Sequence, residues 1–124
     1  MTTLRVGIAS YEQMKARTMA IVRGGRKRAP GDPQVWFTSI ESFARVLSAS
    51  NREVLRVIAE KAPGSLDELA RLTGRAKSNL SRTLKTMAGY GLVTLERGER
   101  GRLTPTVRAD RVKLDLSLVD RETA

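Results

Sequence analysis

The sequence predicts an α+β fold that is mainly helical with a small amount of strand. Its 124 residues fit one ordinary domain with at most a small appendage. Apolar residues make up 40% of the chain and aromatic residues only 4%, so aliphatic side chains must build the core, which favours helices over an aromatic-rich sandwich. Apolar stripes with helical spacing recur between short segments in which apolar and polar residues alternate.

Residues 1–37 are predicted to form an N-terminal extension with a strand, a helix and a linker. In the strand, apolar side chains alternate with a basic residue or glycine: Leu4, Val6 and Ile8. Ser10 and Gln13 have the spacing of a capping box, so a helix is expected to begin there and to end at Gly24-Gly25.

The basic segment from Arg23 to Arg28 leads into the turn-rich residues 30–33. We interpret this segment as a linker. Two alternatives are a DNA-contacting arm and a segment that orders when it docks on a protein partner. The next residues, 35–37, are apolar and extended, and Trp36 is expected to pack on the core.

Three helices in the middle of the chain begin with a cap. Each starts at a hydroxyl residue followed three positions later by glutamate: Thr38 with Glu41, Ser50 with Glu53, and Ser65 with Glu68. Pro63-Gly64 ends the second helix, and Gly74 is placed to end the third in a left-handed conformation. Another helix follows a tight turn at residues 73–75, which is the spacing of a helix-turn-helix.

The helix after this turn has two contrasting faces. One stripe is apolar: Ala76, Leu80, Leu84 and Met87. The opposite side carries hydroxyl and basic groups: Ser78, Arg82 and Lys85, flanked by Ser81 and Thr86. The apolar stripe is expected to dock on the preceding helices, which leaves donors for phosphates and base edges on the exposed face. An ordinary solvated helix is the alternative.

A basic hairpin is predicted directly after this helix. Gly89 to Gly91 end the helix, residues 92–95 form a strand, and residues 96–101 supply a turn before the second strand. Three arginines surround the tip: Arg97, Arg100 and Arg102. A hairpin of this kind is the wing of a winged helix-turn-helix, whose arginines reach phosphates or the minor groove. We assign residues 38–108 to this domain.

Residues 109–124 are predicted to form a C-terminal strand and tail. Apolar residues alternate strictly with polar ones: Val112, Leu114, Leu116 and Leu118. The apolar side of this strand needs a cover. The candidates are the N-terminal helix and strand, with Leu4, Val6 and Ile8, of the same chain or of a second protomer.

The formal charge of +10 is concentrated in two regions. Residues 1–37 hold seven lysines and arginines against two acids, and residues 71–113 hold eleven against three. Residues 38–70 are close to neutral, with four against five. Clustering of this kind favours a polyanionic partner over a merely solvated surface.

Composition excludes several classes of function. The chain has no cysteine and no histidine, which removes disulfides, thiolate or imidazole metal ligands and any histidine base. The carboxylates are scattered, so we predict neither an enzyme nor a bound cofactor. No run approaches the roughly 20 apolar residues of a membrane span, and no signal-peptide core is seen, so a cytoplasmic location without membrane contact is expected.

The middle of the chain resembles the MarR/ArsR-like superfamily of bacterial regulators. The resemblance is carried by LDELARLTGRAKSNLSRTLKTMAGYGLVTLERGERGRLTP. Together with VWFTSIESFARVLSASNREVLRVI and ADRVKLDLSL, the element order is similar to small predicted transcriptional regulators that often act as antitoxins in toxin–antitoxin modules. Two features differ from these relatives. Ala109 stands where such regulators often have an aromatic residue, and the Cys/His metal sites of the ArsR branch are absent.

The resemblance implies a homodimer that binds double-stranded DNA. The candidate DNA-binding residues lie on or before the second helix of the motif and on the wing: Arg75, Lys77, Ser78, Asn79, Ser81, Arg82, Lys85, Arg97, Arg100 and Arg102. The candidate dimer or partner residues are those of the two terminal strands: Leu4, Val6, Ile8, Val112, Leu114, Leu116 and Leu118.

The expected function is that of a sequence-specific transcriptional regulator, an autorepressor and the antitoxin of a toxin–antitoxin pair. One alternative is a module whose main role is to bind and neutralise a toxin through the N-terminal region. Another is a winged helix that binds RNA or the ribosome. The RNA hypothesis lacks exposed aromatic platforms, because Tyr90 is the one ring expected at the surface.

Overall fold

A computed structural model of the chain describes residues 2–24 and 31–119, and these residues form a mixed α+β fold. The elements in chain order are β1 (Thr2–Ile8), α1 (Tyr11–Val22), β2 (Val35–Phe37), α2 (Ile40–Val46), α3 (Ala49–Lys61), α4 (Leu66–Thr73), α5 (Lys77–Gly89), β3 (Val93–Arg97), β4 (Leu103–Val107) and β5 (Ala109–Asp115). A short 3-10 turn, Glu99–Gly101, lies between β3 and β4. The predicted mainly helical α+β class is confirmed at this level.

The hydrophobic core lies between α3, α4, α5 and the β3–β4 hairpin. Its most deeply buried side chains are Leu69, Leu80, Leu84 and Met87, all with no exposed surface. Leu80, Leu84 and Met87 are spaced along one side of α5, so that side faces the core as the sequence predicted. Ala76 was expected in the same stripe, but it is the exposed N-cap of the helix and does not belong to the core.

The two terminal strands pair with each other in a parallel sheet of order β2-β1-β5. Leu4 lies beside Val112, and Val6 beside Leu114. Helix α1 connects β1 to the parallel strand β2. The sequence left open whether the C-terminal strand is covered by its own chain or by a second protomer. In the structure it pairs with the N-terminal strand of the same chain.

One face of this sheet packs toward the end of α5. Phe37 is buried, and its ring stacks on Tyr90 with centroids 4.0 Å apart and meets Phe43 edge-on at 5.3 Å. The prediction of an exposed Tyr90 is therefore wrong, because stacking on Phe37 half-buries its ring. These aromatic contacts join the sheet to the helical core.

The other face of the sheet holds Trp36 beside Gly7. A Cβ atom on Gly7 would lie 2.5 Å from a ring carbon of Trp36, so only glycine fits there. The Arg17 guanidinium of α1 lies 5.0 Å from the Trp36 ring centroid, and it forms an ion pair with Asp32 at 2.9 Å. Trp36 was expected to pack on the core. It packs instead beneath α1, on the face of the sheet away from the aliphatic core.

Two helix starts differ from the predicted capping boxes. Helix α2 begins after Ser39, which exchanges hydrogen bonds with Ser42, and not at Thr38 with Glu41. Helix α3 begins after Ser48, two residues before the predicted Ser50. The Ser48 hydroxyl accepts from the Asn51 backbone N–H at 3.2 Å, while the Asn51 side chain donates to the carbonyl of Val46 at 3.0 Å. The short α2–α3 connection fixes this earlier start.

The other predicted helix boundaries agree with the structure or shift by little. Ser65 caps α4 by accepting from the Glu68 N–H, although the Glu68 carboxylate accepts from Gly64 and not from Ser65. Gly74 ends α4 at φ 74°, in the left-handed region that favours glycine. Helix α3 ends at Lys61, just before the predicted Pro63-Gly64.

The C-terminal strand is shorter than the alternation predicted. Strand β5 ends at Asp115, which pairs with Gly7, and β1 itself ends one residue later. Leu116 and Leu118 therefore have no backbone partner in β1 and lie outside the strand. No helix in the described parts of the chain combines the length and apolar character needed to cross a bilayer.

Candidate nucleic-acid interface

A tight turn sets the position of α5 relative to α4. The Thr73 hydroxyl donates to the Leu69 carbonyl at 2.8 Å and accepts from the Arg75 backbone N–H at 3.3 Å. Gly74 supplies the left-handed residue between them. Because these local hydrogen bonds hold the turn, the direction of α5 relative to α4 is fixed. The buried side of α5 then packs in the core.

The outer side of α5 carries the residues that the sequence proposed for base and phosphate contact. Lys77, Ser78, Arg82 and Lys85 are exposed, and Ser81 is half-buried beside them. Their spacing places Ser78, Arg82 and Lys85 on the side opposite the buried leucines, with Ser81 on the flank and Lys77 in the first turn nearer the apolar side. The structure thus brings most of the helix residues in the prediction onto one surface. Thr86, next to them, donates its hydroxyl proton to the Arg82 carbonyl at 3.1 Å.

The hairpin is fixed beside α4 and carries its arginines at the tip. The Thr104 hydroxyl donates to the Gly64 carbonyl at 2.9 Å, which ties β4 to the α3–α4 connection. At the tip, the Gly98 N–H donates to the Arg102 carbonyl at 2.7 Å, and Arg100 adopts φ 58°. The side chains of the three predicted hairpin arginines are exposed: Arg97, Arg100 and Arg102.

A cleft of about 1000 Å³ separates the start of α5 from the hairpin tip. Its walls are the start of α4, the start of α5 and residues 99–103. Predicted contact residues line both sides: Lys77, Ser78 and Ser81 from α5, and Arg100 and Arg102 from the hairpin. Arg82, Lys85 and Arg97 lie outside the cleft lining, so the candidate surface is wider than the cleft itself.

Most cations of this surface have no acidic partner in the part of the chain that the structure describes. Lys77 forms an ion pair with Asp67 at 3.2 Å. Within residues 2–24 and 31–119, the other five cations of this surface form no ion pair: Arg82, Lys85, Arg97, Arg100 and Arg102. Unpaired, exposed cations on adjoining elements produce a positive potential that attracts anions.

The outer face of α3 provides a contrast. Arg56 lies between Glu53 and Glu60 and forms ion pairs with both. The hydrogen bond from Arg56 lowers the pKa of the Glu53 carboxyl below its usual value. Because two carboxylates neutralise Arg56, this arginine does not add to the positive surface.

Two of the predicted DNA-binding residues bond to each other. Arg75 is half-buried, and its Nε and Nη2 atoms both donate to the Asn79 side-chain oxygen, the Nε bond at 2.9 Å. Its remaining donors reach Thr83 at 3.2 Å and the side-chain oxygen of Asn51 at 3.1 Å. Arg75 therefore connects α5 to α3. Only the four-residue spacing of Arg75 and Asn79 signalled this arrangement in the sequence; nothing there pointed to Asn51.

The predicted dimer or partner residues divide into two groups. Leu4, Val6, Ile8 and Val112 are buried or half-buried within their own chain. Leu114, Leu116 and Leu118 are exposed, with Leu118 most of all. Of the basic segment Arg23 to Arg28, Arg23 is exposed after the last residue of α1, and residues 25–28 lie outside the described residues. Among the residues that the structure describes, no acidic cluster is placed to hold a metal ion.

A family model described as HVO_A0114 matches residues 46–114, which is more than half of the chain. The match runs from the last residue of α2 through β5 and includes α5 and the whole hairpin. No curated protein and no solved structure gives a match to this chain.

Proposed function

The chain belongs to the HVO_A0114 family, and we propose that the part matched by that family is a winged helix-turn-helix that binds duplex DNA. In this proposal α4 and α5 are the helix-turn-helix and the β3–β4 hairpin is the wing. The whole chain acts as a dimeric transcriptional regulator that represses its own operon. The resemblance to MarR/ArsR-like regulators and to small antitoxins supports this regulatory role.

One observation carries the proposal: the exposed side of α5 and the hairpin tip, which flank one cleft, both carry cations that form no ion pair within the described residues. Helix α5 has 13 residues. It is therefore about 20 Å long, and an α-helix fits the B-DNA major groove, which is about 12 Å wide. With α5 in that groove, the hairpin arginines reach the neighbouring backbone or minor groove.

The proposal assigns different tasks to the two elements. Arg82 and Lys85, with Ser78 and Ser81, face the base edges and supply the sequence preference. Arg100 and its hairpin neighbours contact phosphates, which gives affinity without sequence preference. Arg75 and Asn79 act as positioning residues, because their side chains bond to each other and to α3.

The decisive experiment is a fluorescence-anisotropy titration of the full chain at several salt concentrations. The two duplexes are the promoter of its own operon and a scrambled sequence of equal length. We expect a promoter preference of roughly a thousandfold or more near physiological salt. Equal and steeply salt-dependent binding to both duplexes would leave only a generic polyanion surface and would contradict the proposal.

A protein partner is a second candidate, favoured by one observation on α1. Tyr11, Met19 and Val22 are exposed and fall on one side of that helix. An apolar strip of this kind suits a helix or groove of another protein, such as a cognate toxin. Co-purification of the full chain with the protein encoded in the same operon tests this candidate, and Val22→Asp should abolish the association.

Binding to single-stranded RNA has less support. Of the five aromatic residues only Tyr11 is exposed, and Tyr90 stacks on Phe37. Single-stranded RNA readers stack bases on exposed rings. In the described residues the cleft beside α5 has no such ring.

A further inference from the structure

The outer edge of β5 has no partner strand among the described residues. In the sheet order β2-β1-β5 this strand pairs with β1 on one side, and no other described strand pairs with its opposite side. Backbone donors and acceptors along such an edge pair readily with another strand. The adjacent apolar side chains are also uncovered, since Leu114 is 39% and Leu116 37% exposed.

We propose that this edge pairs, antiparallel, with the β5 edge of a second copy of the chain. A two-fold axis passes beside Leu114, so that Leu114 lies opposite its own copy. The two three-stranded sheets then join into one six-stranded sheet. This interface would form the dimer that the proposed function requires. Its role in DNA binding rests on the proposed function, but the strand pairing itself does not.

The faces of the sheet restrict the register. Val112 and Leu114 lie beside Leu4 and Val6 on the face toward the helical core, while Lys113 and Asp115 lie on the other face. A two-fold axis perpendicular to the sheet leaves each face on its own side. Directly opposed residues must therefore come from the same face, which permits only registers centred on a residue.

Charge and strand length select among these registers, since a register centred on Leu116 would lie beyond the end of β5 at Asp115. Centring on Val112 would place Arg111 opposite Lys113 twice, and centring on Lys113 would place that lysine opposite itself. Centring on Asp115 would bring two aspartates together. Like charges directly opposite each other destabilise a strand pair.

Centring on Leu114 avoids every such clash. Lys113 then lies opposite Asp115 of the second copy, and symmetry repeats this pair on the other side of the axis. On the core-facing side, Val112 lies opposite Leu116, and Leu114 opposite Leu114. The register therefore pairs opposite charges on one face and covers the exposed leucines on the other.

Sedimentation equilibrium of the full chain without DNA tests the charge pairing. The wild type should dimerise, and Asp115→Lys or Lys113→Asp should each raise the dimer dissociation constant roughly tenfold or more, because two attractive pairs become repulsive. The double variant with both substitutions should restore wild-type dimerisation, since it regenerates the pairs in reverse. Circular dichroism verifies that each variant is folded.

Cross-linking tests the position of the axis. The chain has no cysteine, so one introduced thiol has no competitor. Opposed residues of an antiparallel pair have Cα atoms about 4.5–5.5 Å apart, a separation that a disulfide spans. Leu114→Cys should give a covalent dimer on mild oxidation. Leu72→Cys, at a site that is 45% exposed on α4, is the matched control and should remain monomeric under denaturing conditions.

The outcomes separate this interface from DNA binding. A wild type that stays monomeric, or a dimer indifferent to the charge substitutions, would overturn the β5 interface. So would cross-linking of Leu72→Cys as efficiently as Leu114→Cys. None of these measurements involves DNA. If they show no β5 interface while the chain still prefers its promoter, the interface is refuted and the proposed function stands.

Discussion

Arg82 and Arg100 are exposed arginines without an ion pair in the described residues, yet they lie on different elements. Arg82 is on the outer side of α5, and Arg100 is at the hairpin tip. A guanidinium that contacts a guanine edge distinguishes sequences, whereas one that contacts a phosphate does not. The proposed function therefore predicts different effects for their removal.

Arg82→Ala should reduce the ratio of promoter to scrambled-duplex affinity by roughly tenfold or more for each half-site. Arg100→Ala should weaken both duplexes by a similar factor. Anisotropy titrations of the two variants measure both ratios. Arg56→Ala is the control, because Arg56 is already neutralised by two glutamates. An unchanged ratio for Arg82→Ala would rule out its role in base reading.

Gly7 illustrates a residue whose importance depends on its neighbour. Gly7→Ala should lower the free energy of unfolding by about 1–3 kcal/mol, because the new methyl group overlaps the Trp36 ring. Urea unfolding followed by the fluorescence of the single tryptophan measures this change. Gly31→Ala is the matched control, since a Cβ there meets nothing within 4 Å. Equal stability of the two variants would contradict the packing described.

At the scale of elements, the caps show how local rules select a helix start. Ser48 and Ser50 both precede apolar residues of α3, and the Ser50–Glu53 spacing fits a capping box. The chain uses Ser48, because Asn51 simultaneously bonds Ser48 and the end of α2. A tertiary connection thus decided between two locally acceptable starts.

Substitution of the two serines tests this boundary. Ser48→Ala should cost about 1 kcal/mol of stability, the usual effect of losing an N-cap. Ser50→Ala lies inside the first turn, so its effect should stay within about 0.5 kcal/mol. Thermal or urea unfolding of both variants gives the comparison, and the reverse order would place the helix start at Ser50.

The orientation of α5 depends on a polar link as well as on its leucines. Arg75→Ala should reduce stability by about 1–3 kcal/mol, because it removes the charged donor shared by Asn51, Asn79 and Thr83. Arg71→Ala, an exposed arginine at the end of α4, is the matched control. Urea unfolding distinguishes them. A purely surface role for Arg75 would make the two losses equal.

At the scale of the whole molecule, the positive charge is distributed unevenly. Within the described residues, Arg82 and Lys85 of α5 and the three hairpin arginines form no ion pair, whereas Arg56 on α3 is paired with two glutamates. Each phosphate contact releases condensed counterions, so affinity for DNA should fall steeply with salt. The steepness of this dependence counts the phosphate contacts.

Arg100→Ala should make the plot of log affinity against log salt shallower by about 0.9 for each protomer bound. The change should be the same on promoter and scrambled duplexes, because phosphates are common to both. Titrations from low to near-physiological salt give the slopes. Arg56→Ala should leave the slope unchanged, and an equal change in that variant would mean that total charge, not position, controls binding.

The sequence alone determined the element order and much of the burial. Leu80, Leu84 and Met87 share one side of a helix by spacing, and burial of that side leaves Arg82 and Lys85 outside. Gly74 and Ser65 likewise fixed the limits of α4, since capping and left-handed turns depend on a few neighbouring residues. These are local rules, and a sequence expresses local rules directly.

Only the tertiary structure decided which distant residues meet. It paired β5 with β1 and ended β5 at Asp115, opposite Gly7, one residue before the end of β1. It also placed Tyr90 on Phe37 and Trp36 on Gly7, and it linked Arg75 to Asn51. Such contacts join residues far apart in the chain, and they form when several elements satisfy their buried surfaces at once. No short stretch of sequence contains that information.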